Sequence, residues 1–491
     1  MRKFKLIIFN GIIITASSFI MQSIGFYFTI YISNKIGSQT LGIFNIILSI
    51  YMFFITLASS GINIATTRLI IDEKSKNSTC STTLAMKKCI YYSLFFGLLS
   101  CLLLFVLSPY ISKIFLHNAI SYKILYIVAI SLPFISVSSA INGYFNAIRK
   151  NIKNVTTRIF EQTIKIICTS YLLYLFLPKG TNYICLSLVL GETICEICSC
   201  LLSFILYIAE EKKYVYSPII KTNYIKSILK ISIPISITSY IRSILSTLKQ
   251  LLIPLRLEKS GLSYDNALSQ YGIINGMALS VLMFPSIIIN SFSNLLLPEF
   301  SYYYNKRSYK SINTVINKVF QLTFIFAIGF MGLFLFYNDY LSKLIFNNLE
   351  VSIYIKLLAP LVIPMYLDAV VDNILKGLDK QIGVMKCNIF DLFLSIGGIF
   401  ILLPIFGING YIIIMYISTL LNFFISVFQL KKYTEFSFDF YNWVIKPLII
   451  MFAIYILVYI FIGNGFIQLS LFLLLYFLYS YFYFKLYKLF E

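Results

Sequence analysis

Long apolar stretches recur along this chain from one end to the other, and they limit what it can fold into. Each stretch holds about twenty residues, enough for a helix to cross the roughly 30 Å hydrocarbon core of a bilayer. Hydrophobic residues make up 59% of the 491 residues and charged residues only 12%. A soluble protein of this length would need far more charge to cover its surface. The sequence therefore predicts an all-α integral membrane protein without a sizeable soluble domain.

The order of these stretches predicts about fourteen transmembrane helices. The apolar runs are too long for transmembrane strands and lack regularly spaced turn signals. The first run begins directly after Lys5 and is too long for a signal-peptide core, so we expect it to remain as the first span. The expected spans lie near 6–32, 41–64, 89–108, 122–148, 156–177, 184–208, 228–256, 270–296, 319–338, 353–377, 387–406, 410–430, 445–463 and 466–487.

The basic residues are distributed unevenly between the two sides of the membrane. The chain has 40 Lys and Arg residues against 19 Asp and Glu residues, and a formal net charge of +21. When the N-terminus is placed in the cytoplasm, most of these cations fall in cytoplasmic segments, as the positive-inside rule requires. The pattern predicts a multi-pass protein of the bacterial cytoplasmic membrane with both termini cytoplasmic. No cationic cluster is long enough to form a nucleic-acid-binding face, so nucleic acid is not an expected partner.

The chain also shows an internal duplication at an offset of 230 residues. Gly42–Asn45 matches Gly272–Asn275, and Ile159–Glu161 matches Ile389–Asp391. Six spans in each half preserve orientation, so the repeats are expected to be parallel, with a substrate path between two bundles. The expected domains are an N-lobe over 1–215, a C-lobe over 216–432 and two additional C-terminal transmembrane helices over 433–491.

Several short motifs carry a family resemblance. They are Ser33–Gly37, Leu41–Phe44, Ser60–Asn63, Ile253–Leu257, Ala267–Gly272, Gly377–Gln381 and Phe406–Tyr411. In these motifs the chain resembles the stage V sporulation protein B-like members of the polysaccharide transporter branch of the multidrug, oligosaccharidyl-lipid and polysaccharide (MOP) exporter superfamily. The resemblance implies two six-helix lobes around a central cavity, alternating access and a lipid II-type cargo for spore-cortex peptidoglycan. Within transport, the alternatives are an O-antigen or capsule-type oligosaccharide-lipid exporter and a cation-coupled multidrug antiporter.

Three cations recur at intervals of seven residues on the predicted seventh span, and we call them the cationic stripe: Arg242, Lys249 and Arg256. A spacing of seven keeps side chains on one helix face with about 20° of drift per heptad. Ionisable groups inside a span are costly and therefore mark functional candidates. A cationic cavity suits the pyrophosphate of a polyprenyl-pyrophosphate-linked sugar. The stripe is accordingly a candidate substrate-binding surface, with pairing to acids across the bundle as the alternative.

Two pairs of acids lie at i and i+4 within predicted spans. Asp368 and Asp372 share one face of the tenth span and could either bind a coupling ion, H⁺ or Na⁺, or pair with Arg242 or Lys249. Glu192 and Glu196 on the sixth span are expected to pair with a lysine, Lys165, or to line the N-lobe cavity. The first four spans contain no carboxylate, which favours an anionic cargo.

The sequence does not predict an enzyme. It has no Asp-x-Asp pair, no phosphate-binding Gly-Lys motif and no His-Glu-x-x-His motif. Its single histidine and nine cysteines do not form a recognisable ligand set, so neither a metal site nor a cofactor is expected. The expected partners are the lipid-linked sugar and the lipids of the membrane.

Overall fold

The computed structural model describes residues 2–75, 79–117, 121–211, 224–461 and 465–486. Within these ranges every regular element is helical. Short 3₁₀ or π-helical turns at Leu177–Lys179, Gly272–Ala278, Ala359–Leu361 and Tyr441–Ile445 adjoin the α-helices. The α-helices are α1 (Arg2–Ser59), α2 (Ile62–Ser75), α3 (Thr79–Phe115), α4 (Lys123–Ala147), α5 (Asn151–Phe176), α6 (Thr181–Glu211), α7 (Tyr224–Glu258), α8 (Tyr264–Tyr271), α9 (Leu279–Met283), α10 (Ser286–Asn305), α11 (Tyr309–Phe336), α12 (Asn338–Phe346), α13 (Glu350–Leu358), α14 (Val362–Gly377), α15 (Gln381–Lys431), α16 (Lys446–Phe461) and α17 (Gly465–Leu486).

Two of these helices are too long for a single membrane crossing. α1 has 58 residues and α15 has 51, which correspond to about 87 and about 76 Å of helix rise. Gly37 in α1 has φ 75°, and Gly407 in α15 has φ 56°, so the backbone leaves helical geometry at both. Glycine adopts a positive φ without the penalty of a Cβ atom. Each long helix is therefore two spans joined at a glycine.

One further span is broken. The segments Tyr264–Met283 and Ser286–Asn305 meet at an angle of 56°, next to Pro285, which has no backbone N–H to donate. Nine other helices are long and apolar enough to cross a membrane. Together with the broken span and the two double helices, which supply two spans each, they give fourteen spans in the described part of the chain. This confirms the predicted all-α, multi-pass architecture.

The duplication is visible in the turns between α4 and α5 and between α14 and α15. Arg149 has φ 59°, and Asp379, 230 positions later, has φ 60°. In the first turn the Lys150 N–H donates to Phe145 O over 2.9 Å, and in the second the Lys380 N–H donates to Leu375 O over 2.8 Å. The same backbone turn thus occurs twice at the offset that the sequence motifs share.

The chain divides into two compact units. The first unit comprises Met1–Met21 and Gln39–Leu255, and the second comprises Gln22–Ser38 and Arg256–Glu491. Most of α7 therefore groups with the first unit, although the sequence repeat starts near its N-terminus. The predicted lobe boundaries at 215 and 432 follow the sequence repeat. Whether they are also the boundaries of domains stays a prediction.

The last two helices, α16 and α17, pack against α11 in the second unit. The Phe336 and Tyr455 rings stack with centroids 3.8 Å apart. The Tyr476 hydroxyl, which is buried, donates to Ile325 O over 2.8 Å. The two helices outside the repeat are thereby fixed to it by both aromatic and polar contacts.

Candidate functional site: charged groups within the spans

The cationic stripe lies along α7. Its three members extend over about 21 Å of helix rise. Arg242 is exposed at the middle of the helix, and within the first unit it makes no ion pair or hydrogen bond with a described residue. Lys249 is half-buried. Arg256, in the second unit, places its guanidinium 3.8 Å from the centre of the Phe400 ring, in a cation–π contact.

The opposite side of α7 is attached to α1 by hydroxyl groups. The Ser236 hydroxyl donates to Ser60 O over 2.9 Å, just beyond the end of α1, and the Tyr240 hydroxyl donates to Leu57 O over 3.2 Å. Farther along, the Thr247 hydroxyl donates to Ser49 O over 3.0 Å. These bonds fix the rotation of α7 about its own axis, and Arg242 consequently faces away from the α1 side.

The acids of the second repeat form a polar cluster on α14 and α15, which we call the second-repeat cluster: Asp368, Asp372, Asn388, Asp391, Ser418, Asn422 and Ser426. The Asn422 amide donates to Asp368 Oδ2 over 2.8 Å, and the Asn388 amide donates to Asp372 Oδ2 over 3.4 Å. The Ser418 hydroxyl donates to Asp391. The structure thus places Asp368 and Asp372 beside a third carboxylate and several neutral oxygen donors.

One oxygen of this cluster, Asn422 Oδ1, is buried without a hydrogen-bond partner among the described residues. The buried Ser426 hydroxyl interacts with the Asp368 carboxylate. A buried polar atom left without a partner costs about 1–3 kcal/mol. Carboxylate, amide and hydroxyl oxygens are the donors that hard cations prefer. The donor chemistry of the cluster therefore fits a proton or a hard cation.

The acids of the first repeat form a different arrangement on α5 and α6, the first-repeat cluster: Glu161, Lys165, Glu192, Glu196 and Ser199. Lys165 forms an ion pair with Glu192, and the Ser199 hydroxyl donates to Glu161 over 3.1 Å. Glu196 interacts electrostatically with both Glu161 and Lys165. Of the two sequence alternatives for Glu192, the structure thus shows the pairing with Lys165.

The neutral members of these two clusters, and one further group of ion-paired residues, were not identified from the sequence. Glu210, with 1% of its side chain exposed, pairs with Lys150 and, over 2.8 Å, with Lys153. Asn422 could have been singled out, because an asparagine in a strongly apolar span is unusual. The described residues contain no group of three or more His, Cys, Asp or Glu side chains arranged to hold a metal ion.

Residues 7–304 match the protein family described as "Polysaccharide biosynthesis protein", which is more than half of the chain. Two relatives from Bacillus subtilis (strain 168) are similar over most of their length. Stage V sporulation protein B is 21% identical over 412 residues, which cover 81% of this chain and 78% of the relative. Sporulation protein YkvU is 19% identical over 366 residues, which cover 71% of this chain and 77% of the relative.

Two solved structures share the fold. The lipid II flippase MurJ in an inward closed conformation superposes with a TM-score of 0.73 and 15% identity, covering 96% of this chain and 99% of that one. An inward-facing multidrug resistance MATE family transporter of the MOP superfamily gives a TM-score of 0.63 and 13% identity, covering 84% and 95%. At these identities the likeness establishes the fold alone. The family match and the similarity to stage V sporulation protein B confirm the predicted family resemblance.

Proposed function

Because this chain belongs to the polysaccharide biosynthesis protein family, we propose that it is a flippase that moves an anionic lipid-linked sugar across the bacterial cytoplasmic membrane by alternating access. The cargo we propose is a lipid II-type peptidoglycan precursor for the spore cortex. Similarity to stage V sporulation protein B and to the lipid II flippase fold supports this choice over an O-antigen exporter or a drug antiporter.

The observation that carries the proposal is the exposure of Arg242 at the middle of a membrane-spanning helix. An arginine at the centre of a span costs roughly 2.5–3.5 kcal/mol on insertion scales. A pyrophosphate would offset that cost, since a guanidinium fork matches phosphate oxygens with two parallel hydrogen bonds. Lys249 and Arg256 continue the positive surface along α7. We assign these three cations to the binding of the cargo's pyrophosphate.

We further propose that the second-repeat cluster couples transport to a cation, H⁺ or Na⁺. Asp368 and Asp372 would provide the charge, and the buried oxygens Asp368 Oδ1, Asn422 Oδ1 and Ser426 Oγ support this assignment. A coupling ion must bind reversibly, and a site that combines hydrogen-bonded carboxylates with neutral amide and hydroxyl oxygens is suited to reversible binding of a hard cation.

We also propose an orientation for the chain in the membrane and that the chain does not modify its cargo. The excess of Lys and Arg in one set of loops supports a cytoplasmic location for both termini. We propose that the cargo leaves the protein chemically unchanged, because two solved structures that share the fold are a flippase and a drug transporter.

The test is a flipping assay with the purified full-length chain in vesicles. Three cargoes are compared: lipid II, an undecaprenyl-linked O-antigen-type oligosaccharide and a cationic drug. We expect lipid II to cross fastest and the drug to cross no faster than in protein-free vesicles. Transport of the oligosaccharide or of the drug without transport of lipid II would replace this function with one of its alternatives. Release of a shortened or extended sugar would indicate an enzyme.

A further inference from the structure

The two repeats place different groups at one equivalent position of their carboxylate clusters. α4 ends at Ala147 and α14 at Gly377, while α5 begins at Asn151 and α15 at Gln381, so both pairs are 230 residues apart. At this offset Glu161 corresponds to Asp391, and Lys165 corresponds to Ser395. The first repeat therefore has an ammonium group where the second repeat has a hydroxyl group.

Lys165 lies near three carboxylates and is in direct contact with one of them. Its Nζ atom pairs with Glu192, and it interacts electrostatically with Glu161 and Glu196. Glu192 has 13% and Lys165 29% of its side chain exposed. Three carboxylates in one partly buried cluster repel one another, and a positive charge beside them relieves that repulsion.

The equivalent hydroxyl in the second repeat behaves as a neutral hydrogen-bonding group. Ser395 is fully buried, and its hydroxyl donates to Ser418 Oγ over 3.0 Å. Ser418 in turn donates to Asp391. At this helix position the first repeat therefore has a positive charge close to its carboxylates. The second repeat has a neutral hydroxyl group that is hydrogen-bonded to Ser418.

We propose that the first-repeat cluster is a site for a small monovalent cation that the chain's own Lys165 ammonium permanently occupies. A counter-ion attached to the backbone does not exchange with solution, so the first repeat takes up no inorganic cation. Removing the lysine side chain opens the site, and a small primary ammonium ion should then enter it, since it brings the same charge and the same three donors. This inference goes beyond the proposed function and does not depend on the cargo.

The experiment measures the melting temperature of the purified full-length chain in detergent. Lys165→Ala is titrated with n-propylammonium chloride, and tetramethylammonium chloride serves as a probe of equal charge without N–H donors. Propylammonium should raise the Tm of Lys165→Ala by about 3 °C or more over tetramethylammonium. The wild type should respond equally to both salts. An equal response of the variant to both salts would overturn the proposal.

Two controls address the remaining outcomes. Lys153→Ala removes another ion-paired lysine but leaves Glu210 with its second partner, Lys150, so it should show no preference for propylammonium. If Lys165→Ala does not fold, the double variant Lys165→Ala/Glu161→Gln removes one charge of each sign and leaves Glu192, the ion-pair partner of Lys165, to bind the probe. A selective rise in Tm in the double variant supports the tethered cation, and the absence of selectivity contradicts it. The readout is stability, so failure here leaves the proposed transport activity untouched.

Discussion

Asp368 on α14 and Asn422 on α15 are joined by a hydrogen bond in which the Asn422 amide donates to Asp368 Oδ2 over 2.8 Å. The carboxylate is buried, and the Ser426 hydroxyl also interacts with it. Neutral donors thus position the carboxylate, and its charge can attract a proton or a cation. This geometry gives the coupling proposal its most direct test.

Replacing Asp368 by Asn should uncouple transport from the ion gradient. The amide keeps the shape of the side chain but loses the charge, and hydrogen bonds to charged groups contribute about 1.5–3 kcal/mol. We expect gradient-driven flipping in proteoliposomes to fall by at least about tenfold. The matched control is Asp379→Asn in the α14–α15 turn, where φ is 60° and asparagine is well tolerated. Equal loss in both variants would contradict a coupling role.

Neutralising Arg242 should stop transport and leave the fold intact. Arg242→Ala removes a charge that has no partner within its unit, so the melting temperature should stay the same or rise while flipping falls at least about tenfold. Arg242→Lys should keep part of the activity, because the charge remains and the planar fork is lost. If Arg242 instead pairs with Asp372, the single variant should be destabilised and the double variant Arg242→Ala/Asp372→Ala should recover both stability and transport.

The packing of α17 on α11 predicts a large effect from a single methyl group. A Cβ atom at Gly329 would lie 2.3 Å from Tyr476 Cε1, and the buried Tyr476 ring is held by its hydroxyl bond to Ile325 O. Gly329→Ala should therefore destabilise the protein by about 1–3 kcal/mol. Gly397→Ala is the control, because its Cβ meets no atom within 4 Å and alanine favours a helix. Equal melting temperatures for the two variants would contradict this packing.

Removal of α16 and α17 tests a different role for the same helices. We predict that a chain truncated before Trp443 still inserts into the membrane but transports poorly, because we expect this apolar helix pair to border a groove for the polyprenyl tail of the cargo. Gln321 would lose the Tyr483 hydroxyl, 2.9 Å from its amide nitrogen, so some loss of stability is expected as well. Full transport by a well-expressed truncation would exclude the groove.

The proposed orientation is tested with single cysteines in a background that lacks the nine native ones. Ser263, exposed at the N-cap of α8, should react with a membrane-impermeant maleimide in intact cells. Glu435, exposed between α15 and α16, should react only after the membrane is opened. Ser78 and Ser217 are further predicted inner positions, and both lie outside the described residues. Labelling of Ser263→Cys and Glu435→Cys from the same side would exclude the proposed topology.

The sequence predicted those features that depend on local pattern. Apolar length predicted the spans, and the offset that relates Lys150 to Lys380 anticipated the repeated turn at Arg149 and Asp379. Contacts between helices depend on their register, which one sequence does not contain. The pairing of Glu192 with Lys165 therefore remained one of two alternatives. Ser418 was not singled out, because a serine inside a span ordinarily bonds only to its own helix backbone.

The rate at which the purified protein flips lipid II is the most direct measure of a flippase that recognises pyrophosphate. Labelled lipid II and a polyprenyl-monophosphate-linked analogue with the same sugar are placed in the inner leaflet of vesicles, and their arrival outside is followed. We predict that wild type flips lipid II faster than the monophosphate, and that Arg242→Ala removes this preference. Lipid II that crosses no faster than in protein-free vesicles, or equal rates for both lipids, would contradict the proposal.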